Sequence, residues 1–178
     1  MPSFPKNQSD SELISQIDEL SINGFTLPSL LRRRIKTNRW TPPLNRNALK
    51  KLVLEKSPFQ NDSSLIKGMI PYFELYDLRS MNRETEGFKK WASTGEKILF
   101  HGARDSTVKP GEIDPHQLIL FADFGLGNDT PFGLDYRSDE KHPTVVLLYY
   151  GQDSYTDNRW VEICPSFEIF EDLIWADH

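Results

Sequence analysis

The chain has 178 residues, of which 38% are hydrophobic, 26% charged and 12% aromatic; its formal net charge is −5 and it has one cysteine. That is enough for one domain with a sizeable core, too apolar for a disordered chain, and it excludes an intramolecular disulfide framework. No apolar run approaches the roughly 18 residues that a membrane-spanning helix needs, and Met1-Pro2-Ser3-Phe4-Pro5 lacks the core of a signal peptide, so the expectation is a soluble cytoplasmic protein with no membrane partner.

Residues 1–8 read as a disordered tail and 9–178 as a single domain without an internal repeat or linker. A first helix is predicted from Ser9 or Ser11, with Leu13, Ile14, Ile17 and Leu20 on one face and Asn23-Gly24 as its stop. Pro28 then suits the first turn of a second helix, which carries Arg32, Arg33, Arg34 and Lys36 as a basic face. After Pro42-Pro43, the spacing of Leu44, Leu49, Leu52 and Val53 predicts a third helix ending near Ser57-Pro58. Tyr72, Phe73, Leu75 and Tyr76 form an aromatic strand-like run, after which Asp77 caps a short helix through Leu78 and Met81. Residues 82–116 hold a Phe88–Trp91 pair, a strand-like Lys97-Ile98-Leu99-Phe100 and a Pro110-Gly111 turn signal, without a clear period.

The last third is sharper. Residues 117–124 read as a strand, 125–129 as a turn, 131–136 as a second strand and 138–143 as a polar turn. The third strand, 144–150, is apolar throughout and therefore central; a loop over 151–158 leads to a fourth strand at 159–164. Ser166 caps a final helix with Phe167, Phe170, Leu173 and Ile174 on one face and Glu168 in its first turn. Short connections make these strands antiparallel neighbours. The expected class is α+β: N-terminal helices, a mainly antiparallel meander, and a C-terminal helix packed on the sheet.

Leu120-Phe121-Ala122-Asp123-Phe124-Gly125-Leu126-Gly127-Asn128-Asp129 followed by Pro131-Phe132-Gly133-Leu134-Asp135-Tyr136, with the ending Trp160-Val161-Glu162-Ile163-Cys164-Pro165-Ser166-Phe167-Glu168-Ile169-Phe170, resembles the SUKH superfamily. That superfamily joins bacterial toxin-immunity proteins with fungal regulators of cell-wall glucan synthesis (the Smi/Knr type). The resemblance covers residues 117–174 and, more weakly, Thr26-Leu27-Pro28 and 73–78. It implies a binder with no common catalytic residues: an immunity protein that neutralises a toxin by contact or, alternatively, a regulatory scaffold of the cell-wall type. Gly125 and Gly127 would then shape the turn, Gly133 would allow a close approach, and Trp160, Phe167 and Phe170 would anchor the last strand and helix to the sheet.

Charge adds a direction. Residues 1–122 carry 18 Lys+Arg against 14 Asp+Glu, and residues 123–178 carry 3 against 12. Such an acidic end either steers a basic partner or keeps loops solvated. The candidate contacts are Asp129, Asp135, Asp139, Glu140, Asp153 and Asp157 for steering, with Tyr136 and Tyr155 as anchors on an exposed face of the sheet.

Other chemistry finds less in the sequence. Gly125-x-Gly127 leads to a strand where a phosphate loop needs a helix. His101, His116, His142 and His178 lack metal-ligand spacing, so neither metal nor cofactor is expected. Cys164 reads as a packing residue, although His142 is the histidine nearest in sequence. Two of the acidic side chains converging would make a small hydrolase, a less favoured reading. The basic series from Arg32 to Lys56 reads as solvated, or as bound to the domain's own acidic face, before it reads as a nucleic-acid track.

Overall fold

A computed structural model describes residues 20–44, 46–59, 68–94, 101–102, 108–124, 130–150 and 157–175. The expected tail, the helix from Ser9, the strand at 97–100 and the turn at 125–129 lie outside these residues.

Asn23-Gly24 closes a hairpin where a helix stop was expected. It joins β1 (Ser21–Ile22) to β2 (Phe25–Thr26), and both turn residues have positive φ, 57° and 81°. Two consecutive left-handed residues match the right-handed twist of a two-residue hairpin, which is why Asn-Gly is favoured there. The Asn23 amide then donates to the His116 carbonyl at 2.9 Å, while its Oδ1 accepts from Lys89 Nζ at 2.6 Å. A local turn signal thus becomes a tertiary anchor.

Helices α1 (Ser29–Lys36), which starts just after Pro28, and α2 (Asn47–Lys56) fall close to the expected places and bury Leu31, Leu49 and Val53, but Leu44 lies before α2 and is fully exposed. The aromatic run at 72–76 is mostly irregular. A 3₁₀ turn at Ile70–Tyr72 leads to a two-residue strand β3 (Glu74–Leu75). Asp77 caps the next helix, accepting from the Ser80 N–H at 2.7 Å, but that helix, α3 (Leu78–Ser93), runs for 16 residues. Its inward face is Met81, Thr85, Phe88 and Ala92, a stripe interrupted by a polar residue and therefore hard to see in sequence. The Pro110-Gly111 signal is an edge strand, β4 (Pro110–Gly111), a position that tolerates a residue without an N–H.

Strands β5 (Leu118–Asp123), β6 (Phe132–Asp135), β7 (Thr144–Tyr149) and β8 (Arg159–Cys164) form the expected meander, and α4 (Phe167–Trp175) closes it. The six-stranded sheet has the order β3-β5-β6-β7-β8-β4 with every pair antiparallel, so β6 and β7 are central. The fold is α+β, as its patterning implies.

Both sheet faces are covered. On one, Phe121 and Phe132 pack against Phe170 of α4, and the Tyr149 hydroxyl donates to the Val53 carbonyl of α2 at 2.6 Å. On the other, Phe88 of α3 meets Trp160 edge-on at 5.8 Å, and Thr85 Oγ1 accepts the Leu120 N–H at 3.0 Å. All residues of β5 and β6 are buried for this reason. The expectation that an exposed sheet face grips a partner is therefore corrected: among the described residues, loops and helices form the surface of this region. Leu173 is a second correction, because it is 47% exposed on α4 while Phe167, Phe170 and Ile174 point inward.

Candidate functional site

The 138–143 turn between β6 and β7 comes to the start of α4, to the β1–β2 hairpin and to the first turn of α1. Asp139 gives the turn its shape: its Oδ1 accepts the N–H groups of Lys141 at 2.7 Å and His142 at 3.1 Å. These bonds favour the ionised form and hold the Asp139 carboxyl below the usual carboxylate range. Both Asp139 and Glu140 are exposed.

An open cleft of about 510 Å³ lies among these four segments. Phe25, Arg32, Glu140, Lys141, His142 and Glu168 contribute to its lining. Phe25 is held by stacking on Tyr136, with ring centroids 4.6 Å apart. Arg32 donates through Nε to the Leu27 carbonyl at 3.0 Å. Glu168 Oε2 is shut off from water and accepts no hydrogen bond; His142 Nδ1 stands 3.6 Å from it.

The sequence-predicted contacts divide. Asp129, Asp153 and Tyr155 lie outside the described residues, as do the turn glycines Gly125 and Gly127. Asp139 and Glu140 are brought together on the turn, and Asp157 sits half-buried against Arg159 at 3.0 Å. Asp135 and Tyr136 are interior, which corrects their placement as surface contacts. Asp135 takes the Arg137 guanidinium, Nη2 to Oδ2 at 2.8 Å, and Arg137 reaches the Glu112 carbonyl at 2.7 Å. Tyr136 is 2% exposed and donates to the Thr26 carbonyl at 3.2 Å, with its ionisation pushed up by burial and then by the Glu168 charge. A strand buried on both faces leaves no outward position for Asp135, and Tyr136, the residue after it, turns inward to stack on Phe25.

The structural residues behave as packing groups. Trp160, Phe167 and Phe170 are fully buried. A Cβ on Gly133 would lie 2.5 Å from Leu118 Cδ1 and 3.3 Å from Val146 Cγ2, so the close approach is by flanking side chains from β5 and β7. Burial pushes the Cys164 thiol up to about 11, the opposite of an activated nucleophile. Several basic residues reach internal acceptors: Arg34 pairs with Glu171, and Arg46 donates to the Ile70 and Pro71 carbonyls.

Sequence reasoning missed Phe25 and Arg32 as members of one site with Glu168 and His142. Glu168 was legible only as a complement to a helix dipole, and His142 only as a residue of a polar turn. No three His, Cys, Asp or Glu side chains converge as metal ligands among the described residues, and none of the helices there is long and apolar enough to cross a membrane. Compared with known proteins, the chain matches no family model, and neither a curated protein nor a solved structure matches it significantly.

Proposed function

We propose that this chain is a non-enzymatic protein-binding domain that neutralises a cognate toxin by direct contact, in the manner of a SUKH-type immunity protein. The observation that carries the reading is the order of its motifs. A glycine-bearing hairpin, an apolar central strand, a tryptophan strand and a phenylalanine helix follow one another as the superfamily resemblance requires. These segments fold into one meander closed by α4. That frame leaves polar turns and helix faces as contact surface. The exposed Asp139, Glu140 and Asp172 lie in the acidic last third and would steer a basic toxin domain towards it.

The test begins with the adjacent reading frame. Its product is expected to be a secreted protein with a toxic C-terminal domain. Expressing that domain should arrest a host, and coexpressing this chain should restore growth, with the two copurifying at low salt. Failure to recover any toxin-like partner from the native host at low ionic strength overturns the reading. Recovery of signalling or wall-building proteins would instead favour the cell-wall regulator.

A further inference from the structure

We propose that Asn23 is a self-modification site whose reaction is held back by tertiary contacts. When the β1–β2 hairpin opens, the Gly24 amide nitrogen attacks the Asn23 side-chain amide, and the product no longer fits the place the hairpin left. The inference goes beyond the protein-binding reading and stands without it.

Sequence supplies the reactivity. Asn23-Gly24 is the one Asn-Gly pair in the chain. A glycine after the asparagine leaves the attacking nitrogen unscreened by a side chain. A Cβ at Gly24 would meet nothing within 4 Å, so no neighbouring segment screens it either. The Gly24 nitrogen bonds to Asn23 Cγ and passes its proton through water to Nδ2; the Cγ–Nδ2 bond breaks and ammonia leaves. Water then opens the five-membered imide at either carbonyl, giving aspartate or isoaspartate. Water is the only co-reactant, and nothing is oxidised or reduced.

Tertiary structure supplies the restraint. Ring closure needs the side chain folded back over its own peptide, a geometry set before the bond can form. Asn23 is drawn the other way. Its Nδ2 donates to the His116 carbonyl at 2.9 Å and to the Leu118 carbonyl at 3.3 Å, and Oδ1 accepts from Lys89 Nζ at 2.6 Å. Lys89 is itself fixed, with a side chain 16% exposed and Nζ 2.5 Å from Glu86 Oε1. Release needs only local opening, because a pair of two-residue strands is marginal by itself.

The product fits poorly. A carboxylate has no N–H to give, so the His116 and Leu118 carbonyls lose their donor while a negative charge arrives beside them, offset in part by Lys89. Isoaspartate also lengthens the main chain inside a two-residue turn, which has no slack to absorb it. Gly24, Phe25 and Thr26 line the cleft, so the modification loosens one of its walls.

The full chain is held at mildly alkaline pH, native and in urea, while peptide mass spectrometry follows the exchange of ammonia for water at residue 23. The native rate should be roughly a hundredfold below the rate in urea. Lys89→Met should raise the native rate roughly fivefold and leave the urea rate unchanged. Asn38 shares the positive φ but precedes Arg39, and it should stay intact over the same period. Amide exchange at 21–27 should be roughly tenfold faster in the deamidated chain and in Asn23→Asp, with β7 unaffected. Equal rates in native buffer and urea, a comparison that needs no variant, would overturn the proposal. So would a native rate indifferent to Lys89→Met, unchanged exchange in the deamidated chain, or a native chain that stays unmodified while exchange shows the hairpin opening.

Discussion

Arg34 and Glu171, 137 residues apart in sequence, meet where α1 packs on α4, with Arg34 Nε donating to Glu171 Oε1 at 2.7 Å. The side chains are 17% and 12% exposed, and the guanidinium also lies 4.7 Å over the Trp175 ring. The α4 end is tied again by Trp175 Nε1 donating to the Thr41 carbonyl at 2.9 Å.

Breaking that pair from one side should be costly. Glu171→Leu leaves a mostly buried guanidinium without its carboxylate and should lower unfolding free energy by roughly 2–4 kcal/mol. The double variant Arg34→Met/Glu171→Leu should recover more than half of that loss. Urea denaturation of the three variants measures the coupling, and simple additivity of the two single losses would refute it.

Two glycines should respond differently to alanine. Gly102 has φ +76°, and an added Cβ would lie 2.7 Å from the Gly111 carbonyl oxygen, a backbone atom, and 3.0 Å from Trp160 Cδ1. Gly102→Ala should cost roughly 2–4 kcal/mol, from left-handed strain plus a contact that cannot yield. Gly133→Ala meets the flexible end of Leu118 and should cost less, roughly 1–2 kcal/mol. Urea midpoints at equal slopes give the order; the reverse order would contradict the geometry.

Alkaline pH should unfold the protein early. Burial raises the ionisation of Tyr149 and of Tyr76, the latter also through Asp123, whose Oδ2 accepts its hydroxyl at 2.9 Å. Tyr136 and Cys164 are raised as well, the thiol to about 11. For an acid with a raised folded value, the unfolded chain releases its proton first, so stability is level below the unfolded value and falls as pH rises through the window above it. Melting temperature should therefore decline from about pH 9, first through Cys164 and then, above about pH 10, through the tyrosines. Cys164→Ala should flatten the onset of the decline, and a profile level to pH 11 would contradict the burial argument. The native thiol should also resist iodoacetamide at pH 8 until denaturant is added.

Asn23→Ala should uncouple the small hairpin. It removes a residue suited to φ 57° together with the hydrogen bonds to the His116 carbonyl and Lys89, for a loss of roughly 2 kcal/mol. Hydrogen exchange at 21–27 should accelerate more than exchange in β7, and uniform acceleration would place the effect elsewhere.

Regular, strongly patterned segments were readable. Four strands and α4 lie within a residue or two of where alternation, apolar runs and turn residues put them, because each carries its own periodic signal. Short pieces were less so: β3 falls inside the strand-like aromatic run but keeps only two of its residues, and β4 read as a turn, since two residues hold no period and are strands only through β5 and β8. The length of α3 was hidden because Thr85 faces inward to satisfy the Leu120 N–H, a need that exists only once the sheet has formed. The same limit applies to the candidate site. Phe25, Arg32, His142 and Glu168 come from four separate segments, and nothing local marks them as neighbours.

Fold class, strand order in the meander and the absence of an intramolecular disulfide follow from the chain itself, because propensity, hydrophobic period and cysteine count act within or between adjacent segments. Tertiary packing alone decided that Asp135 and Tyr136 are interior, that both sheet faces are covered, and that a carboxylate at the start of α4 lines a cleft. Those outcomes depend on which surfaces meet when apolar area leaves water, and that is a property of the assembled layers, set by contacts between residues far apart in the chain.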